Sequence, residues 1–157
     1  MNGTNYLVPV NATVEDETAL DFELVNVDTI TAFMGGERKV GILLLDACRN
    51  NPFTRSLKRG LSNSRALSVE VGLAPIGTRG GGLLVGYATA PGDVAADGNG
   101  ADSPFTIALL KHLPTPDLEI NTAMIRVRAD VADMTRQEQR PWTNSDLTSE
   151  VYLVPRN

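Results

Sequence analysis

The sequence predicts an α/β domain organised around a mainly parallel sheet. Two short apolar runs, residues 40–45 and 83–88, carry that expectation. Each is bounded by polar residues or glycines, which suits a strand covered on both faces. Segments with helical spacing lie before and after them, and strands alternating with helices argue for parallel pairing. The chain has 157 residues, enough for one core, and 42% of them are hydrophobic.

Residues 5–10 read as a short strand or extended segment. Within 15–27, Asp16 and Glu17 ahead of Leu20 allow a short helix. Residues 28–36 read as helical: Asp28 or Thr29 caps the start, Ile30, Phe33 and Met34 share a face, and Gly35-Gly36 stops the run. Residues 40–45 and 83–88 follow as buried strands. Ser103 caps the next helix, Pro104 fits its first turn, and the helix runs to His112 before Pro114 and Pro116. A long helix spans about 118–136, with Met124, Val127, Val131 and Met134 on its apolar face; those methionines read as core filler. Residues 150–154 read as the last strand. No internal repeat is visible.

The composition excludes several function classes. A net charge of −5 argues against a nucleic-acid surface. No apolar run approaches the ~20 residues of a membrane span. The start shows no basic region followed by an apolar core, so no signal peptide is visible. A soluble, cytoplasmic protein is therefore the favoured expectation. One cysteine excludes both an internal disulfide and a cysteine zinc cluster.

That cysteine, Cys48, follows the first buried strand, in LLLDACRNNPF at 43–53. Open α/β sheets gather ligands and catalysts at the carboxyl ends of their strands. A thiol there, between Asp46 and Arg49, is a candidate nucleophile. The caspase motif around the nucleophile is Q-A-C-[RQG]-G. Here Asp46-Ala47-Cys48-Arg49-Asn50 keeps Ala-Cys-Arg, with Asp for Gln and Asn for Gly.

The segment resembles the caspase-like cysteine peptidases of the C14 class, and its Asp form is similar to the bacterial metacaspases and paracaspases. Three further stretches carry the resemblance. Residues 87–113, from Tyr87-Ala88-Thr89 to the Ser103-Pro104 helix, look like the second conserved block of bacterial members. Residues 5–10 look like the segment after the family's His-Gly pair, and residues 139–155 like its closing strand. The resemblance implies a three-layer sandwich and a cysteine endopeptidase that cuts after Arg or Lys. Cys48 would be the nucleophile, and Asp46 would line the primary pocket and pair with the substrate cation. Asp46 lies two residues before Cys48, so on an extended chain both point to one side. A second pocket acid is expected in the following loop, at Asp97 or else Asp93; Asp97-Gly98-Asn99-Gly100 also reads as a plain tight turn. Ala88 and Thr89 would line the substrate groove, and Trp142 would wall it or pack at its rim.

A thiol peptidase of this type needs a histidine as general base. In caspases it lies ~50 residues before the nucleophile, which falls at or before residue 1 here. The expectation is a single partial domain, residues 1–157, incomplete at the N-terminus and inactive alone. The single histidine, His112, reads as a helix-end residue whose charge suits the dipole.

Residues 54–82 form a basic, glycine-rich internal linker with Arg55, Lys58, Arg59, Arg65 and Arg79. It reads either as a solvated loop or as a site of self-cleavage. GTRGGGLL lacks the Gly-Lys-Ser/Thr ending of a phosphate loop and precedes a strand instead of following one. No cofactor and no metal site are expected: calcium activates some metacaspases, but the acids here lack the calcium-loop spacing. The expected partner is a peptide or protein substrate with a basic residue before the cut. Two alternatives stand beside the peptidase: a non-catalytic relative that binds partners in the same groove, and an unrelated cysteine hydrolase using His112. Oligomeric state is not legible.

Overall fold

A computed structural model of the chain describes residues 4–12, 20–34, 39–46, 76–77, 81–90 and 101–155. Among them, elements run in the order β1 (Tyr6–Leu7), α1 (Leu20–Glu23), β2 (Val25–Asn26), α2 (Val27–Met34), β3 (Gly41–Leu45), β4 (Leu83–Tyr87), α3 (Pro104–His112), α4 (Ile120–Met134) and β5 (Trp142–Ser145).

The central sheet has the order β3-β4-β5. β3 and β4 are parallel, from Gly41 opposite Leu83 to Leu45 opposite Tyr87. The ladder continues at both ends, where Gly41 N–H donates to the Gly82 carbonyl (2.7 Å) and Ala88 N–H to that of Leu45 (3.0 Å). β5 runs antiparallel to β4, with Tyr87 opposite Trp142. β1 and β2 form a separate antiparallel pair.

Alternation along β4 assigns its two faces. Leu84 and Ala88 pack with Phe105 and Ala108 of α3 and with Ile120, Met124, Val127 and Val131 of α4. Leu83, Val85 and Tyr87 pack on the other side with Val27, Leu45 and Ile76. The sheet is thus covered on both faces, giving three layers. Gly86 belongs to the helix-covered face because a Cβ there would lie 2.9 Å from Leu44 Cδ2 and 3.0 Å from Met124 Cε. At the entry to β4, Gly81 and Gly82 have φ of 78° and 81°, a region that favours glycine. The turn is held by Asp146, which accepts from Leu83 N–H (2.8 Å) and Gly81 N–H (3.2 Å).

Three expectations need correction. The last described strand is Trp142–Ser145; within residues 150–154 only Tyr152 pairs, in an isolated bridge with Glu119. Met134 is 45% exposed, so of the two α4 methionines only Met124 fills the core. Phe33 is also exposed, although Met34 does pack on the α2 side of the sheet. The basic linker at 54–82 lies outside the described residues except at 76–77 and 81–82. There Ile76 is buried, its N–H donating to Tyr87 Oη (2.8 Å) and its carbonyl accepting from Asn144 Nδ2 (2.8 Å).

Candidate active site

The carboxyl end of β3 meets the N-terminus of α3, and Asp46 makes the junction. Asp46 follows Leu45 directly and is exposed. Ser103 is the N-cap of α3: its Oγ accepts from Thr106 N–H (3.0 Å) and donates to Asp46 Oδ2. Thr106 Oγ1 donates to the same oxygen at 2.6 Å. A carboxylate beside a helix N-terminus also faces the positive end of the helix dipole. The cap was legible in the sequence; that its hydroxyl and its neighbour's both grip Asp46 was not.

Ala88 and Thr89 lie beside Asp46 at the end of the β3–β4 ladder, and both side chains are buried. The Ala88 N–H is held by Leu45, and its carbonyl accepts from the amide of Gln139 (Nε2, 2.8 Å). Gln139 is 1% exposed and escaped the sequence reading, as a lone polar residue between helix and strand carries no signal. Trp142 sits opposite Tyr87, 47% exposed, at the same end of the sheet. Its strand is tied to α4 by Arg128, whose Nε donates to the Pro141 carbonyl (2.8 Å) and Nη2 to Thr143 Oγ1 (3.4 Å). Cys48, Asp93 and Asp97 lie outside the described residues.

His112 sits at the other end of α3. It is 9% exposed, and its Nε2 lies 2.8 Å from Asp130 Oδ2 on α4. Lys111 Nζ donates to the same oxygen at 2.6 Å. Hydrogen bonds from Lys111 first and His112 second hold the Asp130 carboxyl below the usual carboxylate range. At ~1.5 Å per residue, His112 stands about 9 Å along the helix from Thr106. Among the described residues, no three His, Cys, Asp or Glu side chains gather in a way that could hold a metal. Nor is any described helix long and apolar enough to cross a membrane.

The caspase-domain model of peptidase C14 matches residues 1–152. The chain belongs to the caspase-domain family. In structure it is similar to caspase-1 from Spodoptera frugiperda, with a TM-score of 0.57 and 17% sequence identity, over 85% of this chain and 57% of that one. The likeness extends to the fold; the chain spans little more than half the length of the insect enzyme. No curated protein matches in sequence. Membership makes this a caspase-like, cysteine-peptidase-type domain and agrees with the α/β sandwich expected from the sequence.

Proposed function

We propose that this caspase domain belongs to a cysteine endopeptidase of the metacaspase type that cuts peptides after Arg or Lys. Cys48 is the nucleophile and Asp46 the acid that receives the substrate cation. The reading rests on Asp46: an exposed carboxylate at the carboxyl end of a strand of the central sheet, fixed by two hydroxyls and two residues before the single cysteine. An anchored carboxylate is a fit receptor for a guanidinium or ammonium. Asp97, with Asp93 as the alternative, supplies a second negative charge. Ala88 and Thr89 form the floor beneath the bound peptide, and the exposed face of Trp142 forms a wall.

In this scheme Cys48 Sγ attacks the carbonyl carbon after the basic residue, and its backbone N–H stabilises the oxyanion. A histidine takes the thiol proton and passes it to the leaving amine, and water then releases the acyl group. His112 is not assigned as that base, because it stands about 9 Å along α3 from Thr106, which holds Asp46. The scheme therefore needs a histidine other than His112, the single one in residues 1–157, and without it Cys48 turns over little substrate. The same observation favours a second reading, a non-catalytic relative that binds basic peptides without cutting them. The substrate is a peptide or protein, and no cofactor enters the scheme.

The full protein, incubated with matched peptides bearing Arg, Lys or Asp before the cut, tests both. Cleavage after Arg and Lys that is abolished by Cys48→Ala and lost for basic peptides in Asp46→Asn supports the peptidase. Binding without cleavage supports the second reading. Preference for Asp, or indifference to Asp46→Asn, overturns the assignment of the pocket.

A further inference from the structure

Asp46 presents its two oxygens unequally. Oδ2 receives both described donors, Ser103 Oγ and Thr106 Oγ1. Among the described residues, no donor reaches Oδ1. A carboxylate offers about two acceptor positions on each oxygen. Two hydroxyl hydrogens therefore fill Oδ2, and an incoming cation finds only Oδ1. Neither hydroxyl is free to turn away without loss. Ser103 Oγ has one hydrogen and spends its acceptor side on Thr106 N–H, so the helix cap and the carboxylate clamp are one network.

We infer that Ser103 and Thr106 are positioning residues that make Asp46 a one-oxygen acceptor, so that the pocket takes lysine and arginine nearly alike. This rests on the assignment of Asp46 to the substrate pocket. The advantage of arginine at a carboxylate lies in its planar fork, which places two parallel N–H donors on two oxygens. With Oδ2 filled, that side-on pairing is blocked. A guanidinium then donates to Oδ1 alone, which an ammonium does as well. The hydroxyls act through Asp46 and set its selectivity without touching substrate.

Thr106→Val is the informative variant. It removes one donor to Oδ2 while keeping the side-chain shape, the Thr106 amide and the Ser103 cap. Thr106→Ser keeps the hydroxyl and serves as the rescue. Two fluorescent peptides, identical except for a C-terminal Arg amide or Lys amide, are titrated with the 157-residue chain and followed by anisotropy, a readout that needs no general base. The wild-type affinities are expected within about threefold of each other, and Thr106→Val is expected to favour Arg by about tenfold as the two-oxygen pairing opens. Thr106→Ser returns the ratio to that of the wild type. A merely structural role would weaken both peptides equally and leave the ratio unmoved.

An unchanged ratio in Thr106→Val, or a wild type that already prefers Arg tenfold, overturns the inference. Asp46→Asn separates this from failure of the pocket assignment. If Asp46→Asn abolishes binding while Thr106→Val leaves the ratio alone, only the clamp is wrong. If the wild type binds neither peptide, or Asp46→Asn binds both as well as the wild type does, the pocket assignment falls and the clamp with it.

Discussion

Gln139 and Asp46 both join the end of the central sheet to a neighbouring helix layer, and they do so with opposite chemistry. Asp46 is an acceptor open to solvent, held by two hydroxyls of α3. Gln139 is a buried donor that satisfies the Ala88 carbonyl. A buried carbonyl deprived of its donor costs about 1–3 kcal/mol. Gln139→Leu is therefore expected to destabilise the domain by about that amount, read as a lower urea midpoint with an unchanged slope. A midpoint equal to that of the wild type would show that water or another group replaces the amide. The sequence made Asp46 legible, because its place beside Cys48 at a strand end is a local pattern. Its partners were hidden by distance along the chain: Ser103 is 57 residues away and Thr106 is 60. Gln139 reaches 51 residues back to Ala88. Pairings at such separations follow from how the layers stack, and spacing rules read only neighbours.

Elements were legible where local chemistry and burial agree. Ser103 and Pro104 announce the start of α3, and the structure begins that helix at Pro104 with Ser103 as its cap. The start of α4 is less obvious: its cap is Glu119, whose carboxylate accepts from Thr122 N–H (3.1 Å). Its end carries no glycine signal either; Arg136 and Gln137 take left-handed φ of 52° and 69° instead. β5 lies inside the 139–155 stretch that resembles the family's closing strand, but the residue pattern did not mark it, because Trp-Thr-Asn-Ser has no apolar run, as befits a strand with exposed ends. Apolar residues at 151, 153 and 154 imitated a strand that amounts to one bridge.

The two helices themselves are joined by Asp130, which both Lys111 and His112 approach across the α3–α4 contact. Because the folded carboxyl sits below its ordinary range, its contribution is complete above the unfolded value, ~4. It is lost as pH falls through the depressed folded value. Asp130→Asn should therefore lower stability at neutral pH by no more than ~1 kcal/mol, given the exposure of Lys111. The deficit should vanish once acid has protonated the wild-type carboxyl. Unfolding midpoints measured from pH 7 down to pH 2 follow this directly; a deficit that persists at the acid end would place the effect in packing instead.

At the scale of the whole molecule, the three layers draw on both sides of the 47–75 segment. Val27 and Leu45 come from before it and pack with Ile76, Leu83, Val85 and Tyr87 from after it. On the opposite face, Ile42 and Leu44 lie against the core built by α3 and α4. The β3–β4 ladder joins the two sides through five paired positions, Gly41–Leu83 to Leu45–Tyr87. Asp46 adds its hydroxyl clamp to α3 beyond the end of that ladder. Among the described residues the halves are therefore joined by core and ladder as well as by the chain. A protease site inserted at Ser62 and cut to completion should leave both pieces migrating together at the size of the intact domain under native conditions. The same sample should resolve into two bands under denaturing conditions. Cutting does raise the entropic cost of bringing the halves together, since association of separate pieces costs ~4–15 kcal/mol that a tethered chain avoids. The nicked domain should accordingly unfold at lower urea, with a midpoint that rises with protein concentration, which an intact monomer does not show. Removing part of the shared core, as in Leu45→Ala, should release the pieces at concentrations where the wild type holds them. Separation of the wild-type pieces immediately after cutting would mean that the tether, and not the shared core and ladder, keeps β3 against β4.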